Sequence, residues 1–220
     1  MKFFLDSAIV EEIEHAFTMW HFDGVTTNPR HVQVSGKPFL KVIKEIAALA
    51  AGTDRAISVE VNPHHDHHAA MVEEGLKLAA ISPNFVIKLP ATEAGFKAIP
   101  LLKEQGVRAN LTLAFSAAQA LQAMRMGATF VSPFIGWKES NGEETVSMIE
   151  EIVTIRDNYG FDTEVLVAAV RNARQIVDAA VAGADIVTAG FAVFQDAFDH
   201  PYTGVGLAKF QSFWDQTPYE

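Results

Sequence analysis

Eight short runs of apolar and β-branched residues recur along the whole chain at fairly even spacing, and this pattern constrains the fold more than any other feature. The runs lie at 3–6, 24–28, 56–61, 84–90, 109–116, 129–136, 164–170 and 184–190. Amphipathic stretches typical of helices separate them, at 8–20, 36–51, 66–81, 93–105, 117–126, 141–158, 172–182 and 191–198, with another at 205–216. Alternating strands and helices predict right-handed βαβ units and a parallel sheet.

The number of units and the absence of a linker favour a closed barrel. The last strands are continuous apolar runs, as expected of strands that are buried on both faces. The sequence therefore predicts an α/β fold with one domain over residues 1–220, a (β/α)8 TIM barrel with an extra C-terminal helix. An open, doubly wound sheet is the alternative, although the segment LDSAIVEE after the first strand lacks a glycine-rich phosphate fingerprint.

Charge and composition exclude several classes of partner. A formal net charge of −10 argues against nucleic acid or an anionic membrane surface as the main partner. No run approaches the roughly 18 apolar residues of a membrane span. The chain contains no cysteine, which excludes disulfides and thiolate chemistry and fits a cytoplasmic protein. An anionic substrate would need a local cluster of basic side chains, because the overall field is unfavourable.

Polar residues occur near the carboxyl end of nearly every predicted strand. In a barrel these ends converge on one mouth, where catalysis takes place. Polar side chains within apolar strands are costly unless they are paired or functional. The residues at this depth are Asp6, Asn28, Glu60, Lys88, Thr112, Ser132 or Phe134, and Arg171 just beyond the seventh strand. The sequence therefore predicts a polar site in the mouth of the barrel.

Lys88 lies between Ile87 and Leu89 in the middle of a predicted strand. In a structural interpretation, its head reaches solvent or pairs with a carboxylate. In a catalytic interpretation it is a nucleophile, because apolar surroundings favour the uncharged amine, which attacks a ketone carbonyl and forms an imine. An imine is an electron sink for cleavage of the adjacent carbon–carbon bond, and this chemistry needs neither a metal nor an organic cofactor.

Imine chemistry needs proton transfer, and neighbouring strands offer groups for it. Glu60 and Asp6 are carboxylates and Thr112 carries a hydroxyl, so a carboxylate acting through a hydroxyl or a held water can shuttle protons. Glu60 can instead be a structural ion-pair partner, and Asp6 can cap a helix that starts near Ser7. Asn28 can hold substrate hydroxyls or simply satisfy strand-end backbone groups.

A histidine-rich segment, PHHDHH at 63–68, has a spacing that can bind a metal, since His64 and His68 would share a helix face. A solvated loop with Asp66 at the start of the next helix is the favoured interpretation. A metal would also be redundant beside an imine, so we predict no metal site.

The strand-end motifs, taken in order, resemble those of the transaldolase family. FLDSA, GVTTNP, VIKLPAT, NLTLAFS, FVSPF and VAAVRN are similar to its short single-barrel branch, which includes the fructose 6-phosphate aldolases, and they span essentially the whole chain. The family transfers a dihydroxyacetone unit from a donor ketose to an acceptor aldehyde. The resemblance implies a Schiff-base lysine, three proton-transfer groups and contacts to the ketose: Lys88; Asp6, Glu60 and Thr112; Thr27 and Asn28.

Two positions resemble transferases rather than simple aldolases. Relatives that act on free dihydroxyacetone typically carry glutamine where this chain has Glu60, and tyrosine where it has Phe134. A glutamate is a better proton relay than an amide. A phenylalanine lacks the hydroxyl that helps to release the three-carbon unit by hydrolysis.

The anion-binding positions depart from the family pattern. Short transaldolases hold a substrate phosphate with an arginine that ends SPF-x-x-R and a serine in A-S-x-[RK], whereas this chain has Trp137 and Ala169 there. The missing arginine removes a bidentate anion clamp. Arg30 and His31 stand where relatives usually have a small hydroxyl residue and an aliphatic one, and Arg171 remains. Positive charge thus moves from the sixth strand to the second.

The altered pocket suggests a sulfonate, a monoanion that one arginine and neutral donors such as the Trp137 indole N–H would suit. The pattern resembles the sulfofructose transaldolases of sulfoglycolysis, the breakdown of sulfoquinovose. These move dihydroxyacetone from 6-deoxy-6-sulfofructose to an aldehyde such as glyceraldehyde 3-phosphate and release sulfolactaldehyde. The alternatives are an ordinary sugar-phosphate transaldolase or dihydroxyacetone aldolase, with phosphate bound by Arg30 and Arg171, and a non-catalytic sugar-binding barrel.

The resemblance also bears on assembly. Short members of the family form decamers in which the C-terminal helix packs on a neighbouring subunit. Here that helix, at 205–216, would include Phe210, Phe213 and Trp214, and Gly204 and Gly206 before it suggest a hinge or a tight turn. The expected partners are therefore small ketose and aldehyde substrates and further copies of this chain.

Overall fold

Eight parallel strands close into a barrel in the computed structural model, which describes residues 1–220. They pair in chain order, and the last strand closes the barrel against the first. The strands are β1 Lys2–Asp6, β2 Gly24–Thr26, β3 Ala56–Glu60, β4 Phe85–Pro90, β5 Ala109–Ala114, β6 Phe130–Pro133, β7 Glu164–Val170 and β8 Ile186–Ala189. The closed order confirms the predicted (β/α)8 barrel, and the open-sheet alternative is wrong.

Eleven helices surround or follow the strands, and every predicted amphipathic stretch overlaps one of them. They are α1 Val10–Thr18, α2 Pro29–Val34, α3 Phe39–Leu49, α4 His68–Ala79, α5 Glu93–Glu104, α6 Ala117–Met126, α7 Ile135–Glu139, α8 Val146–Tyr159, α9 Ala173–Val181, α10 Phe191–Phe198 and α11 Pro201–Trp214. None of them combines the length and the apolar character that a bilayer crossing requires.

Two short helices, α2 and α7, were not predicted. Helix α2 starts after Asn28, whose Oδ1 accepts a hydrogen bond from the His31 backbone N–H at 3.0 Å. Helix α7 begins at Ile135, inside the run that we predicted as the sixth strand. The apolar run continues from strand to helix without a polar residue, so hydrophobicity alone does not mark the boundary.

The C-terminal helix α11 begins at Pro201, not at 205 as predicted. Proline at the first helical position is favourable because its missing N–H would have no partner there. The ring Nδ1 of His200 accepts the Tyr202 backbone N–H at 3.2 Å and caps the helix. Gly204 and Gly206 therefore lie inside the helix, and the interpretation of a hinge or tight turn before it is wrong.

The histidine-rich segment forms a loop that leads into α4. Its helix start is not Asp66, because His67 takes the capping position and accepts the Ala69 N–H at 3.2 Å. His65 pairs with Glu74 on α4, with Nε2 and Oε2 3.0 Å apart. Two histidines of the segment thus make contacts with the adjoining helix, one as its cap and one as an ion-pair partner.

An apolar cluster fills the lower interior of the barrel and forms a floor beneath the polar mouth. Its members are Phe4, Ala56, Val86, Phe130, Leu166, Ala168 and Ile186. Side chains on one face of a strand recur at every second residue. The inward residues that follow on several of these strands are polar: Asp6 after Phe4, Lys88 after Val86, Ser132 after Phe130 and Thr188 after Ile186. Along these strands an apolar inward residue is therefore followed by a polar one that faces the mouth of the barrel.

Candidate active site

A cavity of about 540 Å³ opens at the carboxyl ends of the strands. This size suits a small organic ligand. All but one of the predicted site residues line it, namely Asp6, Asn28, Arg30, Glu60, Lys88, Thr112, Ser132, Phe134, Trp137, Ala169 and Arg171. The exception is Thr27, whose hydroxyl donates to the Ser58 carbonyl at 2.9 Å, while Thr26 faces the cavity instead.

Lys88 is buried at the centre of the cavity wall, with 3% of its surface exposed. Strand pairing places it beside Glu60, and its Nζ lies 3.6 Å from Glu60 Oε2. The Nζ also donates to the Thr27 carbonyl at 3.2 Å. The interpretation in which the lysine head reaches solvent is therefore wrong, and the carboxylate contact is present. A buried amine beside a carboxylate that can exchange its proton has the arrangement that a nucleophilic amine requires.

The two carboxyl groups of the cavity have pKa values shifted in opposite directions. Burial raises the pKa of Glu60 above its ordinary value, although the charge of Lys88 opposes the shift. Burial also tends to raise the pKa of Asp6, but hydrogen bonding and the charge of His31 outweigh it and hold that pKa low, with help from Lys88 and Thr26. Such a pair divides the chemistry, with Asp6 ionised and Glu60 able to exchange protons.

Thr112 has the one buried side-chain nitrogen or oxygen that lacks a hydrogen-bond partner within the protein. The residue is fully buried and lines the cavity on β5, the strand next to that of Lys88, where the register pairs it with Pro90. Leaving a buried hydroxyl unpaired costs about 1–3 kcal/mol. A hydroxyl in this state is available to a substrate or a held water, which fits the predicted proton shuttle.

Asp6 is held from two sides. The Thr26 hydroxyl donates to Asp6 Oδ1 at 2.7 Å and is itself 2.7 Å from the Thr188 hydroxyl. His31 Nδ1 lies 3.3 Å from the same Asp6 oxygen. The helix-cap interpretation of Asp6 is wrong, since no side chain caps α1, whose first turn follows Ile9. The sequence pattern indicates His31 only as added positive charge, because its partner Asp6 lies on a distant part of the chain.

A second hydrogen-bonded chain crosses the other side of the barrel interior. Ser132 donates to Asn110 Oδ1 at 2.8 Å, and Asn110 Nδ2 donates to Ser58 Oγ at 3.0 Å. Asn110 and Ser58 are not among the site residues predicted from the sequence. The period of two was the available signal, because they precede Thr112 and Glu60 by two positions on the same strands and so share their inward face.

Two strands distort where they reach the mouth. Leu113 and Ala169 adopt left-handed backbone conformations, with φ of 57° and 60°, and the strand register shifts beside each of them. This conformation costs a residue with a side chain roughly 1–2 kcal/mol. Leu113 follows Thr112 directly and Ala169 precedes Arg171 by two positions, so the backbone strain lies next to candidate site residues.

Two arginines at the mouth have free guanidinium groups. Arg30 and Arg171 are exposed, line the cavity, and make no side-chain hydrogen bond or ion pair, unlike every other arginine of the chain. The others are bonded to backbone carbonyls, an amide or carboxylates: Arg55, Arg108, Arg125, Arg156 and Arg174. In a chain of net charge −10, these two unpaired arginines supply the local positive charge that an anionic ligand would need.

Trp137 lines the cavity from α7, on the side of Arg171, since a Cβ on the preceding Gly136 would lie 3.0 Å from the Arg171 side chain. About half of its surface is exposed, and its ring stands perpendicular to Phe134 with centroids 5.8 Å apart. Phe115 completes this aromatic cluster, 5.9 Å from each ring. The preceding Gly136 packs so closely that a Cβ there would lie 2.1 Å from the Ala169 carbonyl oxygen. Absence of a side chain thus lets α7 close against β7.

Comparisons with known proteins identify the family of this chain. A family described as transaldolase/fructose-6-phosphate aldolase matches residues 3–217. Two relatives described as 6-deoxy-6-sulfo-D-fructose transaldolase, from Priestia aryabhattai and Priestia megaterium, are each 55% identical over 221 residues, covering 100% of this chain and 98% of the relative. A probable transaldolase from Aquifex aeolicus is 43% identical over 218 residues, covering 99% of this chain and 98% of that protein.

Among solved structures, thiamine phosphate pyrophosphorylase from Pyrococcus furiosus superposes with a TM-score of 0.63 at 14% identity, covering 89% of each chain. At this identity the likeness concerns the barrel fold alone. The family match and the full-length relatives show the family as well as the fold, since they extend over the strand ends that form the cavity. The chain belongs to the transaldolase/fructose-6-phosphate aldolase family.

Proposed function

We propose that this protein is a Schiff-base transaldolase that transfers a dihydroxyacetone unit from 6-deoxy-6-sulfofructose to an aldehyde such as glyceraldehyde 3-phosphate and releases sulfolactaldehyde. The observation that carries the chemistry is the buried Lys88 amine beside Glu60 in the mouth cavity. The observation that favours the substrate is the free arginine pair together with the name of the Priestia relatives.

Imine formation uses three groups of the cavity. The Lys88 amine attacks the C2 carbonyl of the ketose, and the resulting carbinolamine loses its hydroxyl as water. Glu60, with its raised pKa, supplies and takes back protons at this step. The Thr112 hydroxyl lacks a protein partner, so it is free to hold the water through which these protons pass.

Cleavage needs a base at the C4 hydroxyl of the sugar. Asp6, whose pKa is held low, takes that proton as the C3–C4 bond breaks. The electrons of the bond move into the iminium and form an enamine on Lys88, while C4 becomes the aldehyde that leaves. The enamine then adds to the acceptor aldehyde, Asp6 returns the proton to the new hydroxyl, and hydrolysis frees the product.

The far end of the cavity suits a terminal anion. Arg30 and Arg171 offer guanidinium groups that no protein carboxylate occupies, and Trp137 adds an indole N–H at the edge of the same cavity. A serine hydroxyl is missing at Ala169, so the pocket has fewer donors than one built for a phosphate ester. This balance favours the single charge of a sulfonate.

Product analysis tests the proposal. The enzyme is incubated with 6-deoxy-6-sulfofructose and glyceraldehyde 3-phosphate, and we expect sulfolactaldehyde and fructose 6-phosphate to appear together. Fructose 6-phosphate with an aldehyde acceptor is the matched donor. Ready turnover of that donor with none of the sulfosugar would instead establish an ordinary sugar-phosphate transaldolase, and no turnover or lysine adduct with either would leave a binding barrel.

We also propose that α11 packs on a neighbouring subunit, in a decamer as the family resemblance implies. The helix has no buried residue, and Phe210, Phe213 and Trp214 are all largely exposed. Light scattering should give the mass of a decamer for the full chain and a smaller species for a variant with Phe210 and Phe213 replaced by glutamate. A monomeric wild-type chain would contradict this. The cytoplasmic location stays a prediction.

A further inference from the structure

His31 is the one imidazole that lines the mouth cavity, and it lies against the Asp6 carboxylate. Its Nδ1 is 3.3 Å from Asp6 Oδ1 and 3.2 Å from Asn28 Nδ2. The His31 and Asp6 side chains are 19% and 21% exposed. The contact is therefore largely shielded from water, where a charge-assisted hydrogen bond keeps more of its strength.

Helix α2 fixes the direction of this ring. Asn28 caps the helix by accepting the His31 backbone N–H, and Pro29 follows it at the first helical position. His31 consequently lies in the first turn, with its ring directed at the end of strand β1. The neighbouring Arg30 is exposed and free to bind the anion, so anion binding does not require the imidazole. No other step of the proposed reaction uses an imidazole at this position.

The ring nitrogen can act in two ways that exclude each other. As a donor, Nδ1–H bonds to the ionised Asp6 carboxylate. As an acceptor, Nδ1 takes a hydrogen bond from the Asn28 amide or from a protonated Asp6. The contact can therefore persist in both protonation states of Asp6, which is what a base that gains and returns a proton needs.

We propose that His31 is a positioning residue that orients the Asp6 carboxylate and sustains it as the base for the C4 hydroxyl of the sugar. This inference rests on the proposed transaldolase function. The proton leaves the C4 hydroxyl for Asp6, the O–H electron pair forms the aldehyde carbonyl, and the C3–C4 pair forms the enamine. His31 exchanges no proton with the sugar and acts through Asp6.

The surrounding charges set the direction of the pH effect. The other charged groups that line the cavity are Glu12 on α1, Arg30 on α2, Glu60, Lys88 and Arg171. Burial tends to raise the pKa of Asp6, and its hydrogen bond with His31 is the largest influence that lowers it. Without the imidazole, burial is less opposed and the pKa of Asp6 rises. Asp6 must be ionised to act, so the acid limb of the rate profile moves to higher pH.

The test compares His31→Leu and His31→Gln with the wild type in pH profiles of kcat and kcat/KM. For His31→Leu we expect kcat to fall roughly 10- to 100-fold, as the loss of a hydrogen bond to a charged group implies, with the acid limb displaced to higher pH and little change in donor KM. The glutamine amide can still donate to Asp6, so His31→Gln should recover part of the rate.

His65→Leu is the matched control, because His65 also pairs with a carboxylate, Glu74, but lies outside the cavity. It should keep the wild-type profile. Borohydride trapping at Lys88 distinguishes a failure of the proposed transaldolase function from a failure of the role of His31. A missing adduct in the wild type would refute the proposed function itself. An adduct in every variant, with unchanged kcat and acid limb in His31→Leu, or in His31→Ala if the leucine variant does not fold, would overturn the role of His31 alone.

Discussion

Two buried threonines of the barrel interior should respond differently to the same substitution. Thr112 and Thr26 are 0% and 1% exposed, and valine replaces either hydroxyl with a methyl group of similar size. The Thr112 hydroxyl has no partner in the protein. The Thr26 hydroxyl has two, since it donates to Asp6 and is bonded to Thr188.

The expected energies follow from these partners. Thr112→Val removes no hydrogen bond within the protein and relieves the cost of the unpaired hydroxyl, so the free energy of unfolding should not fall by more than about 1 kcal/mol below that of the wild type. Thr26→Val removes one neutral hydrogen bond and one to a carboxylate, which together are worth about 2–4 kcal/mol. Because Thr112 serves the proton shuttle of the proposed reaction, its substitution should still lower kcat about 100-fold or more.

Urea unfolding at matched protein concentration and steady-state transaldolase kinetics measure the two quantities for both variants. We expect Thr112→Val to lose rate while it keeps stability, and Thr26→Val to lose both. If Thr112→Val destabilised the protein as much as Thr26→Val does, or if it kept the wild-type kcat, the assignment of an uncommitted catalytic hydroxyl would be refuted.

Three further experiments test other parts of the protein. Burial raises the pKa of Glu60 above its ordinary value of 4.5, so the folded protein loses the stability that protonated Glu60 contributes as the pH rises through the raised pKa. A glutamine cannot ionise, so the free energy of unfolding of Glu60→Gln should increase relative to that of the wild type over this pH range. Gly136→Ala should cost about 1–3 kcal/mol in thermal unfolding, because its Cβ would press on the Ala169 carbonyl, whereas Gly204→Ala, with open space around it, should not destabilise. Trp137→Arg combined with Ala169→Ser should shift the kcat/KM ratio toward fructose 6-phosphate by roughly 10- to 100-fold, and an unchanged ratio would count against the proposed anion pocket.

The barrel was predictable because each strand is buried on both faces and therefore stands out as an apolar run between amphipathic helices. The same property concealed α7, since the apolar residues of β6 continue into Ile135 and Gly136 without a break. Helix α2 has only six residues, too few for a helical period to be visible. The boundary between two elements is therefore hard to predict where the hydrophobicity of the sequence does not change across it, even when the elements themselves are predictable.

The candidate site was predictable as far as it depends on position along a strand. Lys88 and Glu60 stand at strand ends that the sequence marks clearly, and the structure brings them within 3.6 Å. His31 was not predictable as a partner of Asp6, because that contact depends on how α2 turns its first residues toward β1. The left-handed backbone at Ala169 was hidden as well, since no glycine marks it.

Reduction with borohydride in the presence of a ketose donor, followed by peptide mass mapping, tests the central claim most directly. We expect a stable sugar adduct on Lys88 in the wild type, and neither an adduct nor turnover in a folded Lys88→Met variant. An adduct on a different residue, or wild-type turnover by Lys88→Met, would contradict it.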